Sequence, residues 1–121
     1  MDDTARVPII KVADNLLVSL TGDLDDDAVL QLEALITSEV ARTRARGTLI
    51  DVSGLSIVDS FIARVIARIV GMVRLLGCEA VVVGIQPAVA ITLVELGVDL
   101  NQVHTALNAG KGMELLRRRR R

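Results

Sequence analysis

The chain has 121 residues, 14 basic against 15 acidic, with 51% hydrophobic and 24% charged residues, the profile of one globular domain of a length that buries a single core. Phe61 is the only aromatic residue, which leaves no stacking platform for bases and weighs against single-stranded nucleic-acid binding. Cys78 is the only cysteine, so no intramolecular disulfide forms, and a reducing, cytoplasmic setting fits.

In chain order, Met1-Asp2-Asp3-Thr4 is acidic and lacks the apolar run of a signal peptide. Ile9–Val12 and Leu16–Leu20 read as two strands joined by a turn at Ala13-Asp14-Asn15, short enough to make the pair antiparallel. Asp25-Asp26-Asp27 opens a helix, with carboxylates where the dipole favours them. Val29, Leu32, Leu35/Ile36 and Val40 continue it at helical spacing, Arg42, Arg44 and Arg46 fill its last turn, and Gly47 stops it. That predicts a helix of roughly 22 residues and 33 Å. Thr48–Val52 suits a central strand and Ser53–Val58 a connecting loop. A second helix runs from about Ser60 to Leu76 and is ended by Gly77.

Ala80 to Val98 is apolar enough to suggest a membrane span, but Gly84 and Gln86-Pro87 cut it into a strand, Ala80–Val83, and a helix, Ala88–Leu96, ended by Gly97. Val103–Thr105 suits a short edge strand and Asn108–Leu116 a terminal helix. The expected class is α/β: a mixed, mostly parallel sheet with an N-terminal antiparallel hairpin and about four helices, in a single domain with its core over 7–116. Residues 117–121 are all arginine and read as a solvated, partly disordered basic tail; a tail-driven nucleic-acid binder is the competing reading.

The sequence offers little for enzymatic chemistry. No glycine-rich phosphate loop is present, His104 and Cys78 are the only imidazole and thiol, and structural zinc lacks ligands. No cofactor or metal is expected. A receiver-like phospho-acceptor is the enzyme-like rival, with Asp51 at a strand end. The first strand, however, has no carboxylates for Mg²⁺, and the lysines are only Lys11 and Lys111.

The informative segment is Asp51-Val52-Ser53-Gly54-Leu55-Ser56-Ile57-Val58-Asp59-Ser60-Phe61-Ile62, where a polar loop meets the start of an apolar helix. Asp59 or Ser60 reads as an N-cap. The same position also tolerates a phosphate on Ser60, because a helix N-terminus presents free N–H groups and positive potential. Arg64 and Arg68 follow one and two turns on, either as a solvated stripe or as guanidinium groups that reach back to a phosphoryl group.

This loop resembles the phosphorylation loop of STAS domains, the fold of bacterial anti-sigma-factor antagonists. Leu20-Thr21-Gly22-Asp23-Leu24-Asp25 is similar to that family's second-strand-to-helix motif, and the element order matches over about 7 to 116. Where the commonest pattern continues Asp-Ser-Ser/Thr-Gly, this chain has Asp59-Ser60-Phe61-Ile62, a variant resembling the stand-alone antagonists of stressosomes. The resemblance implies a non-enzymatic scaffold, phosphorylated on Ser60, with Asp23, Asp25, Asp51, Ser56, Asp59, Phe61 and Arg64 forming the surrounding partner surface. Implied partners are a switch serine kinase, STAS-domain sensor paralogues and a serine phosphatase, in a homo- or hetero-oligomer without a membrane and without nucleic acid. A conventional antagonist that binds an anti-sigma kinase is the neighbouring alternative.

Overall fold

The computed structural model describes residues 9–22, 25–55, 60–95 and 104–119. The strands are β1 (Ile9–Val12), β2 (Asn15–Gly22), β3 (Gly47–Leu55), β4 (Glu79–Val83) and β5 (His104–Ala106), with β3 and β4 carrying the continuous buried runs of strands covered on both faces. The helices are α1 (Asp26–Thr43), α2 (Ser60–Leu75), α3 (Pro87–Glu95) and α4 (Ala109–Arg119). The sheet order is β1-β2-β3-β4-β5, with β1 antiparallel to β2 and every later pair parallel. The expected α/β architecture with its N-terminal hairpin is the one observed. It differs from a receiver domain, which is a parallel sheet of order 2-1-3-4-5 with no leading hairpin, so the receiver reading is overturned by topology.

Two cores sandwich the sheet. Leu16, Val18, Leu20, Ile50 and Val52 face Val29, Leu32, Ile36 and Val40 of α1 and Ile62, Val65, Ile69 and Val73 of α2. Leu49, Val81 and Val83 face Leu116 of α4. Gly112 sits against the second layer so closely that a Cβ there would lie 2.6 Å from Leu49 Cδ1 and 2.7 Å from Val83 Cγ1. The backbone of α4 therefore rests on the sheet. The apolar stretch from Ala80 is divided between buried β4 and α3, and among the described residues no helix is long and apolar enough to cross a membrane.

Several boundaries differ from the sequence expectation, and those of α1, β2, β3 and α4 have a clear physical reason. α1 is 18 residues, about 27 Å, and ends where Arg44 adopts the left-handed conformation, φ 55°. Arg44 and Arg46 thus lie beyond the helix, and Gly47, expected to stop it, begins β3. Gly47 is needed there because a Cβ would lie 2.6 Å from Asn15 Oδ1 and 3.0 Å from Leu116. Asn15, placed in the hairpin turn by its polarity, is a buried member of β2 whose amide reaches Met113 Sδ at 3.8 Å. β3 runs three residues past Val52, because the register against β2 shifts after Ser19–Asp51 and resumes at Thr21–Gly54. At the C-terminus Arg117, Arg118 and Arg119 continue α4 and do not start a disordered tail: Arg118 Nη2 donates to Glu114 Oε1 at 2.9 Å and Arg119 Nε to Glu79 Oε1 at 3.3 Å. Gly97, the expected stop after α3, lies outside the described residues.

Candidate functional site

Parallel β2, β3 and β4 end on the same side of the molecule, where α1 and α2 begin. Ser60 is the first residue of α2 and is exposed. The sequence forces this arrangement locally: Ile62, Val65, Ile69 and Val73 turn one stripe of α2 into the core, so Ser60 and Arg64 fall on the outward side. Both are exposed and one helical turn apart. Phe61 turns the other way and packs, half-buried, against the core.

Asp51 is half-buried on β3 and spends one oxygen locally, Oδ1 accepting from Ser53 N at 2.9 Å and from Ser53 Oγ at 2.7 Å. Ser53 is held from the other side as well, since Gln86 Nε2 donates to its carbonyl at 2.9 Å. Between them lies Gly84 at φ 78°, where a Cβ would stand 2.6 Å from Ser53 Cβ and 3.1 Å from Asp51 Oδ1. Asp51, Ser53, Gly84 and Gln86 thus fix the point at which β3 parts from β4.

Asp25, which the sequence places at the helix start and on the implied partner surface, is the N-cap of α1: its Oδ1 accepts from Ala28 N at 2.8 Å. Arg68 does not turn toward Ser60; its Nη2 donates to Glu33 Oε1 of α1 at 3.3 Å. Asp23, Ser56 and Asp59 lie outside the described residues. Ser53, Gly84 and Gln86 went unrecognised in the sequence, where Gly84 and Gln86-Pro87 signal only a break between strand and helix. A polar Gln just past an apolar strand was the available hint. Among the described residues, no three His, Cys, Asp or Glu side chains gather as a metal site.

An exposed serine at a helix entrance, beyond the ends of parallel strands in a five-stranded sheet opened by a hairpin, defines a class. The family model described as STAS domain matches residues 6–110, and the chain belongs to that family. Within the family it is RsbS-like: a serine-to-glutamate variant of RsbS from Moorella thermoacetica is 41% identical, with a TM-score of 0.85 over 93% of this chain and 96% of that one. A chain from the molecular architecture of the stressosome, a signal integration and transduction hub, is 38% identical, with a TM-score of 0.81 over 94% and 99%. RsbRA of Bacillus subtilis, an RsbT co-antagonist protein, is 34% identical over 108 residues. The match takes in 88% of this chain but 39% of RsbRA, so the chain spans about two fifths of the length of that curated relative.

Proposed function

We propose that this STAS-domain protein is a stressosome scaffold that sequesters an RsbT-type serine kinase and releases it when that kinase phosphorylates Ser60. It assembles with RsbR-type STAS paralogues, and a serine phosphatase resets it. The observation that carries the reading is the exposed Ser60 at the α2 entrance, in a chain 41% identical to an RsbS.

Phosphorylation adds about 1.5 to 2 negative charges at neutral pH. The fold accommodates them, because the free N–H groups of the first turn and Arg64 offset the new charge. A partner packed on the same end is affected differently. Asp25, Asp26 and Asp27 open α1 there and Asp51 lies on the adjacent strand, so the phosphate adds to an acidic rim. Like charges brought together in a desolvated interface cost several kcal/mol, and about 3 kcal/mol weakens binding by more than a hundredfold. The switch is therefore local and requires no rearrangement of the sheet.

The test is incubation with ATP and an RsbT-type kinase, followed by tryptic mapping. Residues Gly47 to Arg64 leave as one peptide carrying Thr48, Ser53, Ser56 and Ser60. Thr48 is fully buried against Cys78 Sγ at 3.0 Å, and the Ser53 hydroxyl is engaged by Asp51. Phosphate is expected on Ser60. Ser60→Ala should still bind the kinase yet never release it, and Ser60→Asp should bind more weakly. Equal kinase binding by both variants and the parent would rule out the switch.

A further inference from the structure

The ends of α1 and α2 border one cleft, and they are built differently. α2 is followed by Gly77 at φ 84°, the residue a left-handed turn ordinarily takes, whereas α1 is followed by Arg44 at φ 55°, where a side chain is strained. The backbone of Arg46 is held on both sides: its N–H donates to the Asp14 carbonyl at 2.8 Å, and its carbonyl accepts from Glu79 N at 2.9 Å. Arg44 and Arg46, both exposed, line a cleft of about 550 Å³ together with Glu79 and Arg119. The pull of a helix C-terminus on cations does not account for them, because it fades within the last turn, where Arg42 and Arg74 already stand. Glu79 is engaged by Arg119 at 3.3 Å, and among the described residues Arg44 and Arg46 meet no carboxylate.

This cleft adjoins a groove of about 500 Å³ between α1 and α2, and the two share Ala41 and Leu76. Small Ala34 and Ala41 keep the α1 wall of the groove low, Met72, Leu75 and Leu76 form the wall opposite, and its lining carries no charge. Leu75 is 89% exposed and Leu76 51%, neighbouring side chains of a size that marks a contact site when they cluster in water. Each volume falls within the range of small-molecule pockets, about 300–1,000 Å³. One continuous depression is therefore apolar along its length and cationic at its end.

A ligand complementary to that depression has an apolar chain and an anionic head. We propose that the α1–α2 groove binds a single-chain anionic amphiphile, its acyl chain laid against Met72, Leu75 and Leu76 and its carboxylate or phosphate head held by Arg44 and Arg46. Guanidinium groups donate paired hydrogen bonds to the oxygens of either head, and burial of the chain supplies the non-directional share of the affinity. The two backbone hydrogen bonds of Arg46 fix the root of its side chain before the ligand arrives, which lowers the ordering cost of binding. Two concave cavities joined end to end suit one chain and its head, not the flat surface of a bilayer. Ser60 lies at the opposite end of α2 from Leu75, about 22 Å away along the helix. The site is thus separate from the phosphorylated end, and failure of the kinase switch leaves this inference untouched.

Equilibrium dialysis of radiolabelled laurate against the full chain, below the concentration at which laurate forms micelles, tests it, with circular dichroism to confirm that each variant folds. One laurate should bind per chain, more weakly as salt rises. Dodecyl phosphate should displace it, whereas acetate or inorganic phosphate (the heads alone) and dodecyl maltoside (the chain without a charge) should need concentrations about tenfold higher or more. Arg44→Gln/Arg46→Gln should lower the affinity by about tenfold or more and remove the salt dependence, and Arg44→Lys/Arg46→Lys should keep most of both. Leu75→Ser/Leu76→Ser should also weaken binding but leave its salt dependence intact. A chain that takes up no laurate overturns the inference, as does displacement by dodecyl maltoside as readily as by dodecyl phosphate, or an affinity indifferent to both the glutamine and the serine variants. Capture of the chain by phosphatidylglycerol vesicles without uptake of laurate also overturns it, and would make this end of the molecule a membrane contact.

Discussion

Gly84 carries two constraints at once, one of backbone conformation and one of packing. Its φ of 78° lies where side chains are strained, and a Cβ would collide with Ser53 beside the strand end that leads to Ser60. Gly84→Ala should therefore lose about 1–3 kcal/mol in urea unfolding, combining backbone strain with overpacking. Gly71 provides the opposite case. It lies exposed inside α2, and a Cβ there meets nothing within 4 Å. Gly71→Ala should raise unfolding free energy by about 0.5–1 kcal/mol, the propensity difference alone. Equal effects at the two sites would mean that neither the backbone conformation nor the contact at Ser53 demands a glycine at position 84.

At the scale of elements, Asp25 shows how a charge near a functional surface serves the fold. It caps α1, so Asp25→Ala should cost about 1 kcal/mol of stability in thermal or urea melts. Asp25→Ser should restore most of that loss, because the hydroxyl accepts the same bond from Ala28 N. An effect on kinase binding that persists in the serine variant would instead mark the charge itself as part of the interface. The three acidic residues announce this helix start in the sequence, and periodicity revealed α1 and α2, whereas α3 was separated from β4 by Gly84 and Gln86-Pro87. The end of α1 was obscured because it is an arginine, Arg44, that takes the left-handed turn, while the glycine three residues on serves close packing against Asn15 and Leu116. Periodicity also left Leu35 and Ile36 undivided; Ile36 is fully buried, continuing the stripe of Val29, Leu32 and Val40, and Leu35 is exposed. Ser60 and Arg64 were legible because a single helix relates them. The Gln86–Ser53 bond joins residues 33 apart and depends on β3 lying beside β4, which no local pattern encodes.

At the scale of the whole molecule, β5 and the end of α4 meet β4 at the edge of the sheet opposite the hairpin, and the lone histidine reports on that junction. His104 Nε2 is buried without a hydrogen-bond partner among the described residues, and Glu79 Oε1 stands 3.9 Å away, already engaged by Arg119. Burial pushes the imidazole pKa below its ordinary value of 6.5, and the Arg119 charge pushes it further down. Glu79 opposes this, and Arg74 adds to the lowering. In the unfolded chain the ring regains its ordinary pKa, so the unfolded state binds more protons as pH falls below about 6.5. The stability contributed by neutral His104 is thus complete above that pH and lost as pH drops toward the folded pKa. His104→Asn should flatten this part of the stability profile. With one histidine in the sequence, proton NMR of the imidazole gives the folded pKa without assignment. Arg119→Ala should raise that pKa, since it removes a cation and leaves Glu79 free to turn toward the ring. The same variant should then lose less stability on acidification than the parent. An unchanged titration in Arg119→Ala would mean that the end of α4 does not rest on β4, and the terminal arginines would regain the character of a free tail.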